Sequence, residues 1–149
     1  MTIDDLDRKL LAALQEDAGQ SYAALGQAVG LSAGSAHERV RKLKAAGVIR
    51  RTTVDVDPAA IGHGVLAFVL LDATSWMGDE PTRRALEEIP AVEEAHIIAG
   101  PASVLVKVRT ASTEDLQATL RALHQVTGVT STQTVVVLES FFERPAAVM

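Results

Sequence analysis

Four residues, Val29-Gly30-Leu31-Ser32, constrain this chain most, because they join two stretches of helical periodicity with no room for a loop. Glycine tolerates the left-handed backbone of a tight turn, the apolar Leu31 fills the angle between two helices, and Ser32 can cap the helix that follows. Before this link, Ser21 is placed to cap a helix with Leu25, Ala28 and Val29 on one face; after it, Ala36, Val40 and Leu43 share an inward stripe that ends near Gly47. Upstream, Ile3, Leu6, Leu10, Ala13 and Leu14 recur at helical spacing. Asp4, Asp5 and Asp7 sit where the helix dipole favours negative charge, so a first helix is expected over residues 4–16. The N-terminal part therefore reads as three helices, the last two forming a helix-turn-helix.

Charge separates this part from the rest. The net charge is −5, yet residues 1–57 carry eight Lys/Arg against eight Asp/Glu, whereas residues 58–149 carry six against eleven. Between His37 and Arg51 lie Arg39, Arg41, Lys42, Lys44, Arg50 and Arg51, with Glu38 as the sole acid. A local basic stripe is what contact with phosphates needs. The chain has no cysteine, which excludes disulfides, thiolate metal sites and a cysteine nucleophile and suits a reducing cytoplasm. Neither a signal peptide nor a run of about 18 apolar residues is present, so no membrane partner is expected.

Residues 48–57 alternate as an extended, wing-like strand, and Pro58, Gly62 and Gly64 mark a linker. We therefore expect a helix-turn-helix domain at 1–57, a linker at 58–64 and a second domain at 65–149. That second part contains an internal echo. An apolar run at 65–71, a helical stretch at 81–89 and a strand ending at Ala99 make one βαβ unit; a strand at 104–109, a helix capped by Ser112 or Thr113 with Leu116, Leu120 and Leu123 inward, and a strand from Val129 towards Glu139 make another. Two such units in tandem predict an α+β, ferredoxin-like βαββαβ domain. Leu66, Phe68, Leu70, Leu105, Val135 and Val137 put apolar side chains on both faces of its sheet, which implies a partner chain. Trp76 and Met77 read as a contact between subunits or a buried loop anchor.

With Ala36, Val40 and Leu43 inward, helical phasing turns Ser35, Glu38, Arg41, Lys42 and Ala45 outward, with His37, Arg39 and Lys44 on the flanks. Arg39, Arg41, Lys42, Arg50 and Arg51 are expected to hold DNA phosphates. Ser32 and Ser35 mark the close-approaching start of the helix, and Ser35, His37 and Glu38 are candidate base-edge readers. Glu38 is alternatively spaced to pair with Lys42 at i+4 on its own helix.

The residues Leu6-Asp7-Arg8 with Leu10-Leu11, Val29-Gly30-Leu31-Ser32, Glu38-Arg39-Val40-Arg41-Lys42-Leu43 and Gly47-Val48-Ile49 resemble the Lrp/AsnC, or feast/famine, regulators. His96 followed by Gly100, then Gly128-Val129, Thr132-Gln133-Thr134 and the stretch from Val136 to Leu138, are similar to the family's effector-sensing domain in order and spacing. The resemblance implies a DNA-binding transcriptional regulator that responds to an amino acid or related metabolite. It also implies dimers through the sensing domain, often assembled into octamers, with the effector bound between dimers.

In one place the chain departs from the family pattern. The family carries acids and a tyrosine after the glycine, whereas this chain reads Gly100-Pro101-Ala102-Ser103-Val104, so Ser103 offers a neutral hydroxyl where an ammonium group would want a carboxylate. The resemblance carries an effector site over to Gly100, Pro101, Ala102, Ser103, Thr132 and Thr134, although threonine is also simply a good strand residue. Two other readings stay open: a ligand-independent architectural DNA-binding protein, and a haem-pathway decarboxylase-like enzyme on a similar two-domain plan. Against an enzyme, His63, His96 and His124 are scattered without metal-ligand spacing, and there is no nucleophile elbow, Walker loop or dinucleotide fingerprint. No cofactor, metal or catalytic residue is called for.

Overall fold

The structure is a computed structural model and describes residues 1–148. The chain divides into two compact units, one of residues 1–55 with the C-terminal stretch from Phe142 on, the other Val56–Phe141.

The first unit holds α1 (Asp5–Glu16), α2 (Tyr22–Val29) and α3 (Ala33–Ala45). Each helix starts on a side chain that takes up an otherwise orphaned amide: Asp4 accepts from the Asp7 N–H, Ser21 from Ala24 and Ser32 from Ser35. Gly30 ends α2 in the left-handed conformation, with φ 78°, and the Leu31 amide donates back to the Gly26 carbonyl at 2.8 Å. Leu10, Leu25, Ala36 and Val40 form a buried core around which Val29, Leu31 and Ile49 pack, and Leu43 is buried as well. The expected inward stripe of α3 is thus the face that packs. Residues 48–57 form no strand, because their backbone finds no ladder partner among the described residues; alternation in sequence does not supply one.

The second unit runs β1 (Val65–Ala73), α4 (Glu80–Glu87), β2 (Val92–Ile97), β3 (Val104–Thr110), α5 (Thr113–His124) and β4 (Val129–Val136). The sheet order is β2-β3-β1-β4 with every pair antiparallel, the ferredoxin-like arrangement. Ser112, not Thr113, caps α5. Side chains alternate across the pleat, so Ala67, Val69, Leu71, Val104, Val106 and Val108 pack with Leu86, Leu116 and Leu123 of the helices. The opposite, helix-free face carries Phe68 and Leu70 of β1; Phe68 stands in register with Val135 of β4 and Lys107 of β3, and Leu70 with Leu105 of β3 and Gln133 of β4. Met77 is buried and anchors the loop after β1, whereas Trp76 is 74% exposed with its indole lying over Gly78, so the anchor role belongs to Met77 alone. Among the described residues no helix is long and apolar enough to cross a membrane.

Candidate functional site

The exposed face of α3 is set by its buried one. Ser35, His37, Glu38, Arg41 and Lys42 all lie in solvent, while Ala36, Val40 and Leu43 hold the helix down. Ser32 is occupied twice: its hydroxyl oxygen accepts from the Ser35 N–H at 3.2 Å and its hydroxyl donates to the Ser35 Oγ at 3.0 Å. Both serines therefore shape the first turn of α3 as well as lining it. His37 lies against Tyr22 of α2, ring centroids 4.5 Å apart and tilted by 55°.

The cations of this face are not equivalent. Arg39 donates from Nη1 to Asp4 Oδ2 and to Asp7 Oδ1, each at 2.8 Å, and Asp7 is buried. Asp4 and Asp7 also cap each other's amides, so a reciprocal capping box at the start of α1 doubles as the seat of an arginine from α3. The Asp7 amide and the Arg39 guanidinium hold the Asp4 carboxyl below its ordinary value, and Asp4 and then Asp7 raise that of Arg39. Arg39 was expected to hold a phosphate; in the structure it ties the third helix to the first. Only the pattern Asp4-x-x-Asp7 hints at the capping box in sequence, and nothing local announces its partner 32 residues on.

Glu38 makes the expected i+4 pair with Lys42, but as the longer of two ion pairs. Its carboxylate takes a forked bond from Arg41, Nη2 at 2.7 Å and Nε at 2.9 Å, while the Lys42 Nζ stands 3.9 Å away. A planar guanidinium one turn away matches both carboxylate oxygens, which an ammonium cannot, so i+3 prevails over i+4. The Arg41 bond lowers the Glu38 pKa to about 2. Arg50 and Arg51 are exposed and have no carboxylate partner among the described residues.

In the second unit, Gly100 to Ser103 form the loop between β2 and β3, closed by Ile98 N–H to the Ser103 carbonyl at 3.1 Å. The Ser103 amide donates to the Leu71 carbonyl at 2.9 Å, and Leu71 pairs with Thr132. Loop and threonines therefore share one end of the sheet, but β1 lies between them. Thr132 and Thr134, paired with Leu71 and Val69, stand on the helix-covered side of β4 and are half-buried. A cleft of about 500 Å³ opens between α4 and β2, over Met77, Leu86 and Val104, and none of the six expected effector residues lines it. Among the described residues no three His, Asp or Glu side chains are grouped as a metal ion would require.

A helix-turn-helix with a cationic outward helix, followed by a ferredoxin-like unit, defines a DNA-binding transcriptional regulator with a separate second domain. Residues 3–44 match the AsnC-type helix-turn-helix domain and residues 66–147 the Lrp/AsnC ligand binding domain. The HTH-type transcriptional regulator FL11 of Pyrococcus horikoshii is 32% identical over 95% of this chain and 93% of its own length; the regulatory protein AsnC of Escherichia coli K12 is 36% identical over 93% and 91%. The solved structure of Escherichia coli AsnC superposes with a TM-score of 0.87 at 34% identity over 99% of both chains. A feast or famine regulatory protein from M. tuberculosis, solved in complex with L-methionine, gives 0.90 at 28% identity over 99% of this chain and 100% of that one. The chain belongs to the Lrp/AsnC family of transcriptional regulators.

Proposed function

We propose that this regulator reads duplex DNA with the outward face of α3 and answers to an amino acid or a closely related metabolite. The observation that carries the reading is the opposition on one helix: Ala36, Val40 and Leu43 buried, Arg41 and Lys42 exposed, and Arg50 and Arg51 following without acid partners among the described residues. Arg41, Lys42, Arg50 and Arg51 hold phosphates and set register; Ser35 and His37 approach base edges; Ser32 and Glu38 shape and orient their neighbours. Arg39 acts as a positioning residue through Asp4 and Asp7.

For the sensing half, Gly100, Pro101, Ala102, Ser103, Thr132 and Thr134 form the effector site when a second copy completes it, since β1 keeps the two groups apart within one chain. The helix-free face of Phe68, Leu70, Leu105 and Val135 supplies the dimer contact, and dimers associate further into octamers. The relative solved with L-methionine supports an amino acid as the ligand class. A second reading, a regulator indifferent to amino acids, is favoured by the missing carboxylate between Gly100 and Val104. A footprint on the DNA upstream of the chain's own coding sequence, with and without each amino acid, tests both. We expect a protected site that one amino acid changes; a footprint insensitive to all of them selects the second reading, and no protection at all overturns DNA recognition.

A further inference from the structure

The last turn of α3 gathers part of the basic stripe, Lys44, Arg50 and Arg51, around Thr52. Gly47 takes φ 74°, and the Val48 and Ile49 amides both donate to the Leu43 carbonyl, at 2.9 and 3.1 Å. This folds the chain back along the end of α3, with Ile49 packed against the core as the hinge pin. Residues 50–52 are thereby brought beside Lys44, and together Lys44, Ile49, Arg50, Arg51 and Thr52 line a notch of about 260 Å³.

The chemistry of this notch is one-sided. Three of its five lining side chains are cationic and none is acidic. Lys44, Arg50 and Arg51 have no ion-pair partner among the described residues, unlike Arg39 and Arg41 on the same helix. The Thr52 hydroxyl and the amides of Arg50, Arg51 and Thr52 donate to no acceptor among the described residues. Cations lining one notch, with main-chain and hydroxyl donors to spare, suit a tetrahedral oxyanion, because each oxygen can take a directed bond while the charge is neutralised.

We propose that this notch seats a phosphoryl group, with Lys44, Arg50 and Arg51 supplying charge and Thr52 and the adjacent amides supplying directed donors. Resting on the DNA reading above, the group is a backbone phosphate lying beyond the C-terminal end of the recognition helix. The seat fixes how far α3 slides along the groove. It adds Lys44 and Thr52 to the DNA-contacting set.

Two measurements on the full chain separate the seat from the reading it rests on. In the first, inorganic phosphate is titrated against chloride at matched ionic strength while amide resonances are followed. We expect saturable shifts at Arg50, Arg51 and Thr52, lost in Lys44→Ala. In the second, duplex DNA binding is measured against salt. Lys44→Ala should flatten the log–log slope by about 0.9 per subunit, so the loss of affinity between about 50 and 200 mM salt shrinks about 3.5-fold, while Thr52→Val weakens binding at unchanged slope. If the wild type binds duplex steeply but neither variant alters binding and the amides stay still, the seat is overturned and DNA recognition stands. If the amides respond but no duplex binds, the seat stands as a free-oxyanion site and the DNA reading falls.

Discussion

Replacing Gly26 by alanine sets two effects against each other. Gly26 lies inside α2, where alanine would stabilise a helix by about 1 kcal/mol. A Cβ at this position would stand 2.5 Å from the Leu31 carbonyl oxygen and 3.0 Å from that of Ser32. Both atoms are backbone, in the turn that feeds the cap of α3, so no flexible side chain can swing away. Overpacking of this kind costs about 1–3 kcal/mol, and a contact this short with rigid atoms belongs at the upper end. The net result is a loss of about 2 kcal/mol, or about 8–16 °C in the melting temperature of a unit of this size. Thermal unfolding followed by helical circular dichroism measures it, with Gly34→Ala as the control. A Cβ at Gly34 meets nothing within 4 Å, so that variant should be stabilised by up to about 1 kcal/mol. Because the displaced turn carries α3, Gly26→Ala should also weaken DNA binding even well below its melting point. A Gly26→Ala protein as stable as the wild type would refute the close approach of helix and turn.

Further outcomes follow from the same geometry. Asp7→Ala removes a buried carboxylate that holds Arg39 and the Asp4 amide, and should cost about 1–3 kcal/mol in urea unfolding; neither it nor Arg39→Ala should change the salt slope of DNA binding, which a phosphate-holding Arg39 would. The Asp4 and Glu38 carboxyls are depressed in the folded state, so their contribution is fully present above their ordinary values and is lost as pH falls through the folded ones. For Glu38 the window is from 4.5 down to about 2, and Glu38→Gln should flatten acid unfolding there. Leu70→Glu places a charge opposite Leu105 and Gln133, with no cation directly across from it, and should yield a folded monomer in sedimentation velocity; an unchanged oligomer would place the subunit contact elsewhere.

The periodicities in the sequence were sufficient for all three N-terminal helices, the serine caps of the second and third, and the order of strands and helices in the second unit, whereas the aspartates that cap α1 and α4 were not read as caps. These are local signals: Ser21, Ser32 and Ser112 sit immediately before their helices, and Ala36, Val40 and Leu43 repeat at the helical period. What escaped depends on atoms brought together from far apart. Arg39 looked like its neighbours Arg41 and Lys42, and only the docking of α1 on α3 gives it two aspartates. Residues 48–57 alternate like a strand but have no second strand to pair with among the described residues. Lys44 and Thr52 meet through the turn at Gly47, whose direction no hydrophobic pattern encodes. The effector residues illustrate the same limit, since loop and threonines are sequence neighbours of different strands that β1 separates.

DNA recognition by the cationic end of the first unit is tested most directly by the affinity of the full chain for duplex DNA across a salt series. Lys42, Arg50 and Arg51 alone, each engaging one phosphate, give a log–log slope of about −2.7 per subunit, so binding should fall steeply as salt rises. A slope near zero, or affinity unchanged when Arg50 and Arg51 are both replaced by alanine, would contradict it.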